Sequence, residues 1–180
     1  MKTVNLIAIL GILSGAHLIL IGGASENKPE QPIWGNTFKG VAISVRPSNK
    51  RIKLDQDMEI GVFARNSGED EVLLVNQGGV RENFRAVLFD QDGRPVAKSK
   101  AVEEFEASMG KVSDLPISGS GRSPTQIKPG ETSERREVLQ LKDWFEVNKA
   151  GTYYLVVMRR LWSWDKGFMI SNMAKITITK

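Results

Sequence analysis

The residues best suited to contact chemistry crowd near the C-terminus, in the segment Arg159-Arg160-Leu161-Trp162-Ser163-Trp164-Asp165-Lys166-Gly167-Phe168. If the strand that begins at Tyr153 runs on through it, Trp162 and Trp164 project from one face, because strand side chains alternate. Two indoles at that spacing make a platform for a sugar ring, a peptide or another subunit, with Arg159 and Arg160 as hydrogen-bond donors and Phe168 alongside. Asp165-Lys166-Gly167 then turns the chain back. The competing expectation is that the indoles cover an open end of the fold or pack around Trp34, since large aromatics are buried on average. A second contact candidate is the stretch 107–126, where Gly110, Pro116, Gly119, Gly121 and Pro124 stand among five serines. A loop that long inside a compact domain is either mobile or functional. As a proteinase inhibitor it would present Leu115-Pro116-Ile117-Ser118 in extended form to a protease cleft, using main-chain pairing.

Catalysis has less to draw on. Cysteine is absent, and the single histidine, His17, sits in an N-terminal apolar run that reads as a removable targeting segment. The remaining chain would then have no thiol and no imidazole, which excludes Cys nucleophiles, Ser-His-Asp triads and Cys or His zinc sites. An enzyme built on carboxylate, Lys or Tyr chemistry stays open. Glu69-Asp70-Glu71 and Glu103-Glu104-Phe105-Glu106 hold enough carboxylates for an acid and base pair. Both groups are expected beside a turn or on an exposed strand, where acidic side chains are simply solvated. Asp90 and Asp92 before Gly93 look like the start of a calcium loop, but Arg94 occupies the fifth position and Ala101 the twelfth, so a hairpin turn is expected. No catalytic residue, metal ligand or cofactor is assigned, and the expected partner is a protein or a glycan.

Charge narrows the partners further. Lys and Arg number 25 against 21 Asp and Glu, a net charge of +4 from which Lys2 departs with the targeting segment. The basic clusters Lys50-Arg51-Ile52-Lys53, Arg135-Arg136 and Arg159-Arg160 do not add up to a nucleic-acid footprint, and no nucleic-acid partner is expected. The N-terminus itself carries Lys2, an apolar run from Leu6 through Ile21, and small residues at Gly22, Gly23 and Ala24. This is the pattern of a secretory signal, residues 1–24, cleaved after Ala24. The run is nearly long enough to span a bilayer, so the alternative is an uncleaved anchor, the only membrane contact expected. Either way the remainder lies outside the cytoplasm, secreted or periplasmic or held at the membrane facing outward.

The elements that must position these residues are strands. After an extended leader, 25–37, with Pro29 and Pro32, period-two alternation predicts strands at Val41–Val45, Met58–Ala64, Glu71–Val75 and Asn83–Phe89. Asp90-Gln91-Asp92-Gly93 makes a tight turn into Arg94, Pro95 and Val96. Ser133–Leu139 is a further strand, Leu141–Val147 a helical turn, Gly151–Met158 a strongly strand-forming run, and Ala174–Thr179 an edge strand. Trp144 is expected in the core. Strands without long helical periodicity predict an all-β fold, a single antiparallel β-sandwich over 38–180.

Two stretches carry a family resemblance: Arg85-Ala86-Val87-Leu88-Phe89-Asp90-Gln91-Asp92-Gly93-Arg94-Pro95-Val96, and Ile127-Lys128-Pro129-Gly130-Glu131-Thr132 with Ala150-Gly151-Thr152-Tyr153-Tyr154 downstream. Together they resemble immunoglobulin-like bacterial domains, including the intracellular proteinase inhibitor type. The resemblance implies an immunoglobulin-like β-sandwich in which the Asp-Gly hairpin follows one strand, the Pro-Gly-Glu turn opens a late one and Gly-Thr-Tyr starts the penultimate one. It also implies that Tyr153 acts as a tyrosine corner, its hydroxyl bonding backbone upstream across the passage between sheets.

Overall fold

Val41, Ile43 and Val45 point one way and Ala42, Ser44 and Arg46 the other, and this period of two builds β1 (Val41–Pro47). In the computed structural model the described residues are 32–76, 79–112, 122–133, 137–161 and 167–180. They belong to one compact unit, Pro32–Lys180. The signal segment at 1–24 and the first part of the leader lie outside the described residues. After β1 come β2 (Arg51–Lys53), β3 (Glu59–Asn66), β4 (Val72–Asn76), α1 (Val80–Asn83), β5 (Phe84–Asp90) and α2 (Lys100–Val112). Then follow β6 (Arg122–Ile127), β7 (Glu137–Gln140), α3 (Leu141–Trp144), β8 (Gly151–Arg159), β9 (Met169–Ile170) and β10 (Ala174–Thr179). Strands dominate, so the fold is all-β in the broad sense.

One sheet has the order β1-β3-β7; a second has β2-β10-β8-β5 with β9 paired to β8; β4 and β6 form a separate ribbon. Buried side chains from all three meet in one apolar cluster, including Ile43 and Val62 of the first sheet, Leu88, Leu155 and Ile176 of the second, and Leu74 and Ile127 of the ribbon. Every pairing is antiparallel except β2 with β10, which is parallel. The basic cluster at Lys50–Lys53 thus contains a strand, and β10, expected at an edge, is flanked on both sides. Asn66, fully buried at the end of β3, satisfies its amide by donating to the carbonyls of Asp70 and Ile127 while its Oδ1 accepts from the Gly68 N–H. That one side chain ties the expected Asn66-Ser67-Gly68 turn to the ribbon.

Several other sequence expectations meet their structures here. Asp90-Gln91-Asp92-Gly93 is a turn, with Gly93 at φ 77°, and Asp90 accepts from the N–H groups of Asp92 and Arg94 through its carboxylate. The Arg94 N–H first, then the Asp92 N–H and the Arg94 guanidinium, hold the Asp90 carboxyl below its ordinary range. Arg94, sitting where a calcium ligand would belong, pairs with both Asp90 and Asp92. Leu141–Trp144 is the expected helical turn, and Trp144 is buried. The stretch 107–126 differs from the long loop expected there. Its start completes the 13-residue helix α2 and its end is β6. The acidic run Glu103–Glu106 therefore lies on a helix, where Glu106 binds the Lys98 ammonium at 2.5 and 2.7 Å.

The leader is part of the fold from Gly35 onward. The Gly35 N–H bonds the Ile43 carbonyl, and Phe38 bridges Val41 through a turn in which Lys39 and Gly40 both have positive φ. On its other side the Asn36 N–H donates to the Ile170 carbonyl at 3.0 Å and the Asn36 Oδ1 accepts from the Ile170 N–H at 2.5 Å. The approach is so close that a Cβ on Gly35 would stand 1.8 Å from the Ile170 oxygen. Two residues on, the Asn172 side chain brackets Val45, accepting from its N–H and donating to its carbonyl. Leader and Asn172 thus occupy the free edge of β1 and join it to the β8–β9 side of the second sheet.

Candidate binding surface

β8 reads as an apolar strand on both faces, and that doubleness builds the site. Tyr153, Leu155, Val157 and Arg159 point into the core, while Tyr154, Val156 and Met158 point outward and are half-buried. Register places further apolar side chains beside the outward set: Phe89 opposite Tyr154, Val87 opposite Val156, and Ile170 opposite Met158. Directly opposed residues share a face, so these six side chains form one row on the outside of the second sheet. Cations border it, with Lys175 opposite Tyr154 and Arg85 opposite Met158. Arg85 is itself tied down, donating to the carbonyls of Arg81 and Phe84. A sheet with one solvent face ordinarily alternates apolar with polar; this one presents a continuous half-exposed apolar strip.

The residues expected to bind are divided by the same parity. Arg159 is not a surface donor: it is 4% exposed, on the inward face of β8. Its guanidinium stands 5.1 Å from the Phe84 ring centroid. It lines a small pocket with Ile43, Val62, Phe63, Ala64, Leu74, Thr125, Ser133 and Glu137. Burial pushes its pKa down to about 10, and the Glu137 carboxylate works in the opposite direction. It stays charged at neutral pH. The alternation that runs Tyr153, Leu155, Val157 predicts this inward position for Arg159. β8 ends at Arg159 and Leu161 is buried, so the strand does not carry on toward Trp162. Arg160 is exposed, and its guanidinium lies 4.8 Å from the half-buried Phe168 ring, which brings those two together at the base of the β8–β9 connection. Trp162 and Trp164 lie outside the described residues, as do Leu115, Pro116, Ile117 and Ser118.

Other features bear on what the molecule can do. The Tyr153 hydroxyl donates to the Lys149 carbonyl at 2.7 Å, the upstream bond expected of it. Arg46 stacks 4.2 Å over Phe63 and 5.9 Å from Trp34, and its buried Nε finds no hydrogen-bond acceptor among the described residues. Among the described residues no group of three or more acidic or His side chains is placed to hold a metal ion, and no helix is long and apolar enough to cross a membrane.

No family model matches the chain, and no curated protein does. Among solved structures it is similar to a β-glucosidase of Erythrobacter marinus, at 11% identity and a TM-score of 0.37, covering 77% of this chain and 15% of that one. It is similar to a β-glucosidase of Listeria innocua in complex with glucose at 11% identity and a TM-score of 0.37, covering 78% and 16%. A conserved hypothetical protein of Bacillus anthracis aligns at 15% identity and a TM-score of 0.27, over 68% of this chain and 85% of that one. The chain spans about a sixth of the length of the two glucosidases.

Proposed function

We propose that this chain is an exported, non-catalytic binding protein whose domain is an immunoglobulin-like β-sandwich and whose partner is a protein or a glycan. The observation that carries the reading is the half-exposed row of Val87, Phe89, Tyr154, Val156 and Met158 on the outside of the second sheet. Contiguous apolar surface of this kind marks contact sites. The two aromatics in the row, Phe89 and Tyr154, are the side chains that stack on sugar rings or anchor peptides. The Arg160–Phe168 pair, with Trp162 and Trp164 between them in sequence, extends the proposed surface beyond the end of β8. The Tyr153 hydroxyl bond and the single core shared by two sheets support the sandwich reading. The proteinase-inhibitor alternative rests on Leu115–Ser118 and gains no observation from the described residues.

The test is selection followed by substitution. Ligands are selected for the wild-type chain from a glycan array and a displayed random-peptide library, then measured on a Tyr154→Ser, Val156→Thr variant. Loss of at least about tenfold in affinity, near 1.4 kcal/mol, with an unchanged melting temperature is the expected result. Selected ligands that bind the variant equally well would place the contact elsewhere.

A further inference from the structure

Beyond the sheet face, the seam between leader and β9 presents a second surface with a different chemistry. Three of the exposed large apolar side chains meet there: Ile33 at 65% exposure, Met173 at 61% and Ile170 at 41%. Their neighbourhood follows from the contacts already described. A Cβ on Gly35 would meet Ile170 and Ser171, Asn36 bonds Ile170, and the Phe38 ring lies against Gly167. Leader numbers rise as partner numbers fall, so the two segments run antiparallel. Extending that register by two residues sets Ile33 beside Met173. The backbone on both sides is locked by the Asn36–Ile170 bonds and by Asn172 on Val45, so these side chains cannot fold inward.

The charge around the edge has one sign. From Pro32 through Leu54 and from Gly167 through Lys180 the sequence contains no aspartate or glutamate. Arg46 follows Val45 beside Asn172, Lys39 stands 5.5 Å over the Phe38 ring, and Lys175 is exposed two residues beyond Met173. We propose that this edge, Ile33, Ile170 and Met173 rimmed by Lys39, Arg46 and Lys175, docks on the surface of an anionic phospholipid bilayer. Protruding aliphatic side chains enter the acyl boundary while the cations meet headgroup phosphates, the division of labour that holds peripheral proteins to membranes. A second copy of the chain would bring the same cations to the same place, so like charges disfavour it. The inference does not rest on the partner-binding reading, since the sheet-face strip and this edge are probed by different substitutions.

The absence of cysteine makes the test clean on the full chain. Met173→Cys and Asp92→Cys are each labelled with an environment-sensitive fluorophore, the second reporting from the turn at the opposite end of β8. Vesicles of phosphatidylcholine with about 30% phosphatidylglycerol should raise the emission of the label at 173 about twofold, and about 0.5 M salt should reverse most of the rise. The label at 92 should not respond, neutral phosphatidylcholine vesicles should give little response, and Lys175→Glu should weaken the response at 173. The proposal is overturned if the label at 173 stays in water, whether or not the chain sediments with vesicles, because an apolar stretch at 6–21 can bind lipid without this edge. It is equally overturned if neutral vesicles give the same signal, or if the signal grows with protein concentration alone, which would mean a second copy. A Met173→Ser variant with unchanged thermal melting guards against loss of fold as the cause.

Discussion

A tyrosine hydroxyl and a buried guanidinium hold the two ends of β8. Tyr153 donates to the Lys149 carbonyl, and replacing it with Phe strands that acceptor, which should cost about 1–2 kcal/mol in urea unfolding. Burial first, and then the Asp90 carboxylate, raise the Tyr153 pKa above its ordinary value of 10.0. A group whose folded pKa is raised stabilises the fold fully below its unfolded pKa and loses that contribution as pH climbs through the folded one. Melting temperature should therefore fall above pH 10 more steeply in the wild type than in Tyr153→Phe. At the other end, Arg159 is charged in an apolar setting with Glu137 acting on it across the core. Glu137→Gln should destabilise by about 1–3 kcal/mol by weakening the compensation of a buried charge. Glu137→Leu combined with Arg159→Met should recover most of the loss, because an apolar pair of similar volume avoids desolvating either ion. A double variant as unstable as the single one would show that Arg159 has a role that packing cannot replace.

Elements were legible in the sequence where one physical rule was enough. Before that comparison, one element makes a prediction of its own: Gly35→Ala drives a methyl into the Ile170 carbonyl and should cost about 3 kcal/mol by chemical denaturation. Gly93→Ala meets no atom within 4 Å and should cost only about 1–2 kcal/mol, for its positive φ alone. The strands β1, β3, β5, β8 and β10 follow from period two, and the Asp90 turn follows from Asp and Gly chemistry. α2 was hidden because only Val102 and Phe105 mark its inner face at helical spacing, while its helix signal lies in the propensity of Lys100, Ala101, Glu103, Glu104 and Ala107. β2 was masked by its cations, since a three-residue strand with one inward Ile has no pattern to read. In the site, the parity that should place Arg159 inside is visible in the sequence, but a charge at a core position contradicts the usual burial ranking. The outward row was visible too, as Tyr154, Val156 and Met158 interleaved with the core residues. What no sequence rule supplies is the cross-strand register that brings Val87, Phe89 and Ile170 beside them.

At the scale of the whole molecule, two sheets and a ribbon share one core, and the seam that joins the sheets on one side is made from opposite ends of the chain. Asn36 and Ile170 are 134 residues apart and Val45 and Asn172 are 127 apart. Contacts of such long range make folding slow, because the chain must close a large loop before any of them forms. The order of synthesis then matters. The Gly35 segment emerges early and finds β1 nearby, but the residues that lock its other side are among the last to appear. Until Gly167 and its successors arrive, the leader has an unpaired outer flank, and the molecule has an edge open to any other extended chain. A chain that crosses a membrane before folding would carry that open flank through the whole passage, and a copy clipped before Asn172 would keep it permanently.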